Sequence, residues 1–264
     1  MLKLNSTMTG LLKKIAFYLI LIAIWELAYK LGVDYLRLWK PYVFPSPITV
    51  FKTMLDLIAD STLGIAVLAS AKRIVIGYAI SILIGAIVGF AIVRFKTLDE
   101  NLSPLILGLQ TLPSICWLPF AILWYGLNES AIIFVIAIGS AFAVSIAIES
   151  GIKNVNPLYL RAAKTMGAGG LKVYWNVIIP ASLPTVVSGL KQGWSFAWRA
   201  LMAGEMLFAT KGLGQVLMVG RDLADISQVV AVMIVIVVLG VTVDKLIFGR
   251  IEVNIRRRWG LDRA

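Results

Sequence analysis

The chain has 264 residues, 59% of them hydrophobic and 15% charged, with a mean hydropathy of +0.89. A soluble domain carries roughly 45–50% apolar and about 25% charged residues, so lipid must solvate part of this one. The formal charge is +11 without a histidine, yet the cations sit between long apolar runs, not on a polar face interleaved with aromatics, which argues against nucleic acid.

A spanning helix needs about 20 mostly apolar residues, and six segments qualify. The first, Ile15–Leu31, follows Lys13 and Lys14 and carries Glu26 and Lys30 near its end. Trp25, Glu26 and Tyr29 stand where a cleavable leader would place small residues, so it reads as a retained helix. Next, Phe44-Pro45-Ser46-Pro47 breaks regular structure. The stretch Ile48–Ile58 then places Ile48, Phe51, Leu55 and Ile58 at helical spacing, the pattern of an interfacial amphipathic helix. Ile74–Val93 is an uncharged second span, with Gly77, Ser81, Gly85 and Gly89 at every fourth position for close helix packing.

The third span, Leu102–Trp124, is uncharged but interrupted by Pro104, Pro113 and Pro119. Proline withholds backbone donors, which a membrane tolerates where the freed carbonyls face protein or water. We therefore expect it to wall a pathway, with Pro113 and Pro119 as path residues. Cys116, the lone cysteine, reads as a small apolar packing residue. One cysteine and no histidine exclude an internal disulfide and a cysteine-based metal cluster, and argue against zinc chemistry. Ala131–Ile148 is a clean fourth span, and Val229–Val243 is the sixth, reaching Phe248 if it passes Asp244 and Lys245.

The fifth span, Leu183–Phe208, holds Lys191, Arg199 and Glu205 alongside the small residues Gly189, Gly193 and Ala197. An ionisable group at membrane depth usually faces a bundle interior or water. Lys191 lies close enough to one end to snorkel. Arg199 and Glu205 are six positions apart and so occupy different helix faces. They need partners elsewhere, and Arg199 becomes a candidate contact for an anionic passenger.

Lysine and arginine concentrate in cytoplasmic loops. With the N-terminus inside, the inner segments hold fourteen of them and the outer segments seven. Both termini are expected in the cytoplasm, with Arg256, Arg257 and Arg258 against anionic lipid. The expected organisation is a flank and first helix over 1–40, an extracytoplasmic segment over 41–73, a five-helix core over 74–248 and a basic tail over 249–264.

Residues 153–182 form the longest inner loop. Asn156 can cap a helix whose first residue is Pro157, and Gly167 with Gly169 and Gly170 ends it. A second short helix is expected from Leu171 to Pro180. Within this helix–turn–helix, Arg161-Ala162-Ala163, Gly167, Val177, Ile179 and Pro180 resemble the loop E-A-A-x3-G-x9-I-x-L-P of binding-protein-dependent ABC importer permeases, with every spacing kept. Arg161 replaces the family's glutamate. Gln110 to Pro119 with Ile122 to Gly126, Ala203-Gly204-Glu205-Met206 and Gly212-Leu213-Gly214 are similar to the nitrate, sulfonate and taurine branch.

The resemblance implies an all-α type 1 importer permease with six transmembrane helices, sited in the cell's inner membrane. Arg161, Ala162, Ala163, Gly167, Val177, Ile179 and Pro180 would dock a cytoplasmic ATPase. It further implies two permease copies, two ATPase copies and an extracytoplasmic solute-binding protein. The cargo would be a small solute such as a sulfonate, taurine or nitrate. No Gly-Lys dipeptide occurs, so the phosphate cradle of an ATPase is missing here and hydrolysis is expected on another subunit. A stand-alone carrier would want inverted repeats and coupling charges at the midplane, and no repeat is evident. A membrane enzyme would want a catalytic constellation, and none stands out. No cofactor is expected.

Overall fold

The computed structural model describes residues 2–208 and 210–258, and the side chains of all of these except 2–8, 10, 11 and 256. Residues 259–264 of the expected basic tail lie outside the described residues. Every regular element among the described residues is helical. Helix α1 is Leu2–Tyr29 and winds on through a π turn, Lys30–Tyr35. Helices α2 and α3 are Pro47–Ala59 and Thr62–Arg94. Helix α4, Lys96–Gln110, and α5, Leu118–Tyr125, flank a 3-10 turn at Ser114–Trp117. Then come α6, Glu129–Lys153, and α7, Pro157–Thr165. The short α8, Leu171–Val173, passes through a π turn at Tyr174–Ile178 into α9, Ile179–Leu207. Helices α10, Leu213–Asp222, and α11, Ile226–Val243, follow. A last π turn, Asp244–Phe248, leads into α12, Gly249–Arg258.

The chain divides into two compact units. One comprises the residues up to Ile65 together with Val216–Ile236. Within it, Ser46 caps α2 by accepting from the Thr49 N–H at 3.1 Å, with Pro47 in the first turn. The Trp25 indole donates to the Pro45 carbonyl at 3.1 Å, tying the proline-rich entry to α1. Gln228 donates to the Val216 carbonyl at 2.8 Å and closes the α10–α11 turn.

The other unit holds Ala66–Gln215 and the residues after Ile236, and α6 is its centre. Ile132, Val135, Ile136 and Val144 on α6 are fully buried, as expected of a helix apolar all round. The glycine stripes are the means of packing. A Cβ at Gly77, Gly85 or Gly89 would lie 2.6–2.8 Å from Ile136, Val144 and the Ser145 carbonyl of α6. From α9, a Cβ at Gly189 would overlap Ala147 and one at Gly193 would lie 3.1 Å from Val144, where α3 and α9 meet the same face of α6. Positions on α3 and α6 rise together, so those helices run parallel, whereas α9 pairs with α6 in descending order and is antiparallel.

Parallel α3 and α6 settle how the third span behaves. Lys153, ending α6, pairs with Asp99 at the start of α4 and with Glu149 at 2.8 Å, while Ser103 donates to Glu149 at 2.9 Å. Arg73 in the first half of α3 bonds Glu129 at 2.9 Å, at the start of α6. The segment 96–125 must therefore return the chain from one end of the bundle to the other. It does so as two helices bent by 104°. This is a broken span that crosses, and with five long apolar helices it makes six.

Three local expectations need correction. Helix α3 begins at Thr62, so residues 62–73 extend the second span and do not belong to a separate outer segment. Pro113 precedes the 3-10 turn and Pro119 sits in the first turn of α5, where the missing N–H has no helical partner to lose. Of the three prolines in this span, Pro104 alone is interior to a helix. Cys116 lies exposed in the 3-10 turn and is no packing residue.

Candidate functional site

The loop between α6 and α9 is built by its capping chemistry. The Asn156 side chain accepts from the Leu158 N–H at 2.9 Å, starting α7 at Pro157. Its end is closed by the Gly167 N–H to Lys164 and the Ala168 N–H to Ala163 at 3.0 and 2.9 Å. Gly167 has φ +81 with nothing within 4 Å of a built Cβ, so backbone conformation, not space, requires glycine there.

The second helix is not short. From Leu171 to Leu207 the chain is one 37-residue helical run, about 55 Å long at 1.5 Å per residue. Pro180 was expected to punctuate it. The π turn instead absorbs the proline, because the Ile179 N–H reaches back to Tyr174 just before the position lacking a donor.

Between α7 and this run lies a groove of about 470 Å³ lined by Tyr159, Ala162, Ala163, Met166, Val177 and Pro180. Ala163 is 7% exposed, packed against its own chain, whereas Ala162 opens to the surface. Ile179 is half-buried beside the groove, and Gly167 sits at the turn above it. Leu158, Met166, Leu171 and Trp175 stand exposed around it. Arg161 is exposed, with no carboxylate in ion-pair distance among the described residues.

Further along α9, Lys191 pairs with Asp244 at 3.0 Å. Arg199 is exposed, its guanidinium 4.5 Å over the Phe196 ring and its Nε donating to the Ser195 carbonyl at 3.2 Å. It has no carboxylate partner among the described residues. It faces the bend of the broken span across a cleft of about 330 Å³, with Gln110, Thr111, Pro113, Ser114 and Trp117. Pro119 does not line that cleft. The sequence placed Arg199 and Pro113 on the path separately, and the fold brings them together.

Glu205 is fully buried, and its partners were missed. Arg73 donates to it at 2.8 Å, Ser70 at 2.7 and 2.8 Å, and the Gly214 N–H at 3.0 Å. Arg73 also bonds the Lys211 carbonyl at 2.7 Å, and the Leu213 N–H donates to Ser70 at 2.9 Å. A Cβ at Gly212 or Gly214 would fall 2.5 or 2.6 Å from Glu205. Gly212 thus leaves room for the carboxylate of Glu205, and Gly214 for its Cβ and backbone. Ser70 and Arg73, three apart on one helix face, carried a signal once residues 62–73 are read as helix. Among the described residues no group of acids, cysteines and histidines is placed to hold a metal ion.

The family model described as "Binding-protein-dependent transport system inner membrane component" matches residues 81–257. A putative ABC transporter permease protein of Methanocaldococcus jannaschii is 30% identical over 240 residues, 89% of this chain and 88% of that one. The taurine transport system permease protein of Escherichia coli is 32% identical over 184 residues, covering 68% and 67%. A putative aliphatic sulfonates transport permease protein of Bacillus subtilis is 28% identical over 242 residues, covering 90% and 84%. Among solved structures, a chain of the MetNI methionine ABC transporter in an inward facing conformation superposes with a TM-score of 0.64. It is 18% identical and covers 74% of this chain and 96% of that one, a likeness of fold.

Proposed function

The chain belongs to the binding-protein-dependent transport system inner membrane components, and from that premise we propose how its parts divide the work of an ABC importer permease. The groove beside α7 receives a separate ATPase subunit through Arg161, Ala162, Ala163, Gly167, Val177, Ile179 and Pro180. An exposed apolar rim on a loop outside the lipid calls for a protein partner, and that rim carries the assignment. Helix α9 and its extension transmit the partner's movement, because one helical run joins the groove to the core.

In this reading both termini and the loop face the cytoplasm, following the Lys/Arg bias. Residues 41–61 lie on the outer side, 62–248 form the core, and 249–258 line the inner face. Two copies of the chain join two ATPases, and an extracytoplasmic binding protein delivers the solute. Hydrolysis takes place on the ATPase. The cargo is a small anion of the sulfonate, taurine or nitrate kind. Permeases named for taurine and for aliphatic sulfonates are similar over most of the chain, and Arg199 offers a guanidinium with no carboxylate partner among the described residues, beside Pro113 at the broken span. A stand-alone carrier would want inverted repeats as well as charges such as Arg199, and no repeat is evident in the sequence.

The test is to co-express the permease with its partner ATPase subunit and compare Ala162→Trp, Gly167→Asp and wild type. Expected are normal membrane levels, an ATPase that no longer co-purifies, and uptake reduced at least tenfold. Normal co-purification and uptake in both variants would remove the docking assignment. Ala163 is the poorer probe, since enlarging it disturbs the loop's own packing.

A further inference from the structure

We infer that the pocket between α9 and α12 binds the phosphate headgroup of an anionic phospholipid. The pocket, about 620 Å³, is lined by Lys191, Asp244, Lys245, Arg250, Asn254 and Arg257. Its one acid is already used, because Asp244 pairs with Lys191 at 3.0 Å. Lys245, Arg250 and Arg257 have no carboxylate in ion-pair distance among the described residues. Three uncompensated cations around one concavity repel each other, and a phosphodiester relieves that repulsion while accepting charge-assisted hydrogen bonds.

Three features favour a lipid over a soluble phosphate. The pocket sits where a spanning helix leaves the apolar zone, since the run Ile226–Ile255 is long and apolar enough to cross. Leu246, Ile247 and Ile251 are exposed on the same stretch, so acyl chains have an apolar surface beside the headgroup. The charge pattern also matches the general preference of basic pockets between helices for anionic headgroups. The π turn at Asp244–Phe248 contributes by shifting the register of α12 against α11, which lets Lys245 and Arg250 line one pocket.

The test uses the full chain, purified in mild detergent and examined by native mass spectrometry with added phosphatidylglycerol, phosphatidylcholine or inorganic phosphate. Expected is a retained phosphatidylglycerol adduct that millimolar phosphate does not displace and that phosphatidylcholine does not reproduce. The triple variant Lys245→Gln, Arg250→Gln, Arg257→Gln should lower its population at least fivefold, and the single Arg250→Gln should lower it measurably. The charge-conserving Arg250→Lys should retain it. Equal adducts with phosphatidylcholine, displacement by phosphate, or full retention in the triple variant would each overturn the inference. None of these outcomes depends on the ATPase or the cargo.

Discussion

Replacing Arg73 by methionine should be among the most damaging single changes outside the docking loop. Glu205 is fully buried, and Arg73 is the only cation bonded to it among the described residues. Without Arg73 the carboxylate keeps Ser70 and the Gly214 N–H, two neutral donors that satisfy its oxygens but not its charge. Breaking a buried ion pair from one side costs about 3–5 kcal/mol. The second bond of Arg73, to Glu129, adds at most about 1 kcal/mol, because that carboxylate is 46% exposed. Glu205→Gln should cost less than Arg73→Met, since Arg73 then retains Glu129 and the Lys211 carbonyl.

The decisive variant is the double replacement, Arg73→Met with Glu205→Gln. It removes both charges, so it should be more stable than Arg73→Met alone, with a coupling energy of about 2 kcal/mol or more between the sites. Unfolding by added SDS in mixed micelles, followed by tryptophan fluorescence, gives the four corners of the cycle. An Arg73→Met variant within about 0.5 kcal/mol of wild type, a change of the size seen at unremarkable surface positions, would refute the reasoning. So would a double variant no better than it.

Gly212→Ala and Gly214→Ala should each destabilise by about 1–3 kcal/mol in the same assay, because their Cβ atoms would overlap Glu205. Gly108→Ala, with nothing within 4 Å, should be neutral or slightly stabilising and serves as the control. Arg199→Gln should raise the KM for uptake at least tenfold at unchanged membrane level and ATPase association, with Arg199→Lys intermediate. An unchanged KM would take Arg199 off the path.

What could be read from the sequence was mainly local. Asn156-Pro157 and Gly167 specify the ends of α7 by their own hydrogen bonding and backbone freedom, and uncharged runs such as Ala131–Ile148 have no stable home except lipid or a core. Pro180 misled because proline ordinarily ends a helix, and nothing in the sequence announces the π turn that accommodates it. Cys116 misled for a related reason. An apolar neighbourhood in sequence does not reveal a bend of 104° that turns one residue outward. The pairing of Arg73 with Glu205 joins residues 132 positions apart; a single sequence shows that a charge in a span needs a partner, not which residue at that distance supplies it.

The same pairing bears on how the transporter couples. Helix α9 carries the proposed docking groove at one end, Arg199 in its later half and the buried Glu205 close to its other end. From Pro180 to Glu205 is about 37 Å along the axis, and from Arg199 to Glu205 about 9 Å. In the proposed docking mode, with Glu205 held by Arg73, Ser70 and Gly214, a push at the groove is expected to pivot α9, together with the α6 packed along it, about the anchored end. A displacement of about 4 Å at the groove then moves Arg199 by about 1 Å, the ratio of those two lengths. That is enough to remake a hydrogen bond at the bend without opening the whole bundle. Arg73→Met loosens the pivot and leaves the groove untouched. At permissive temperature it should therefore keep ATPase association and hydrolysis while losing uptake, a separation that simple unfolding would not produce. Parallel loss of all three would mean that the ion pair only holds the protein together.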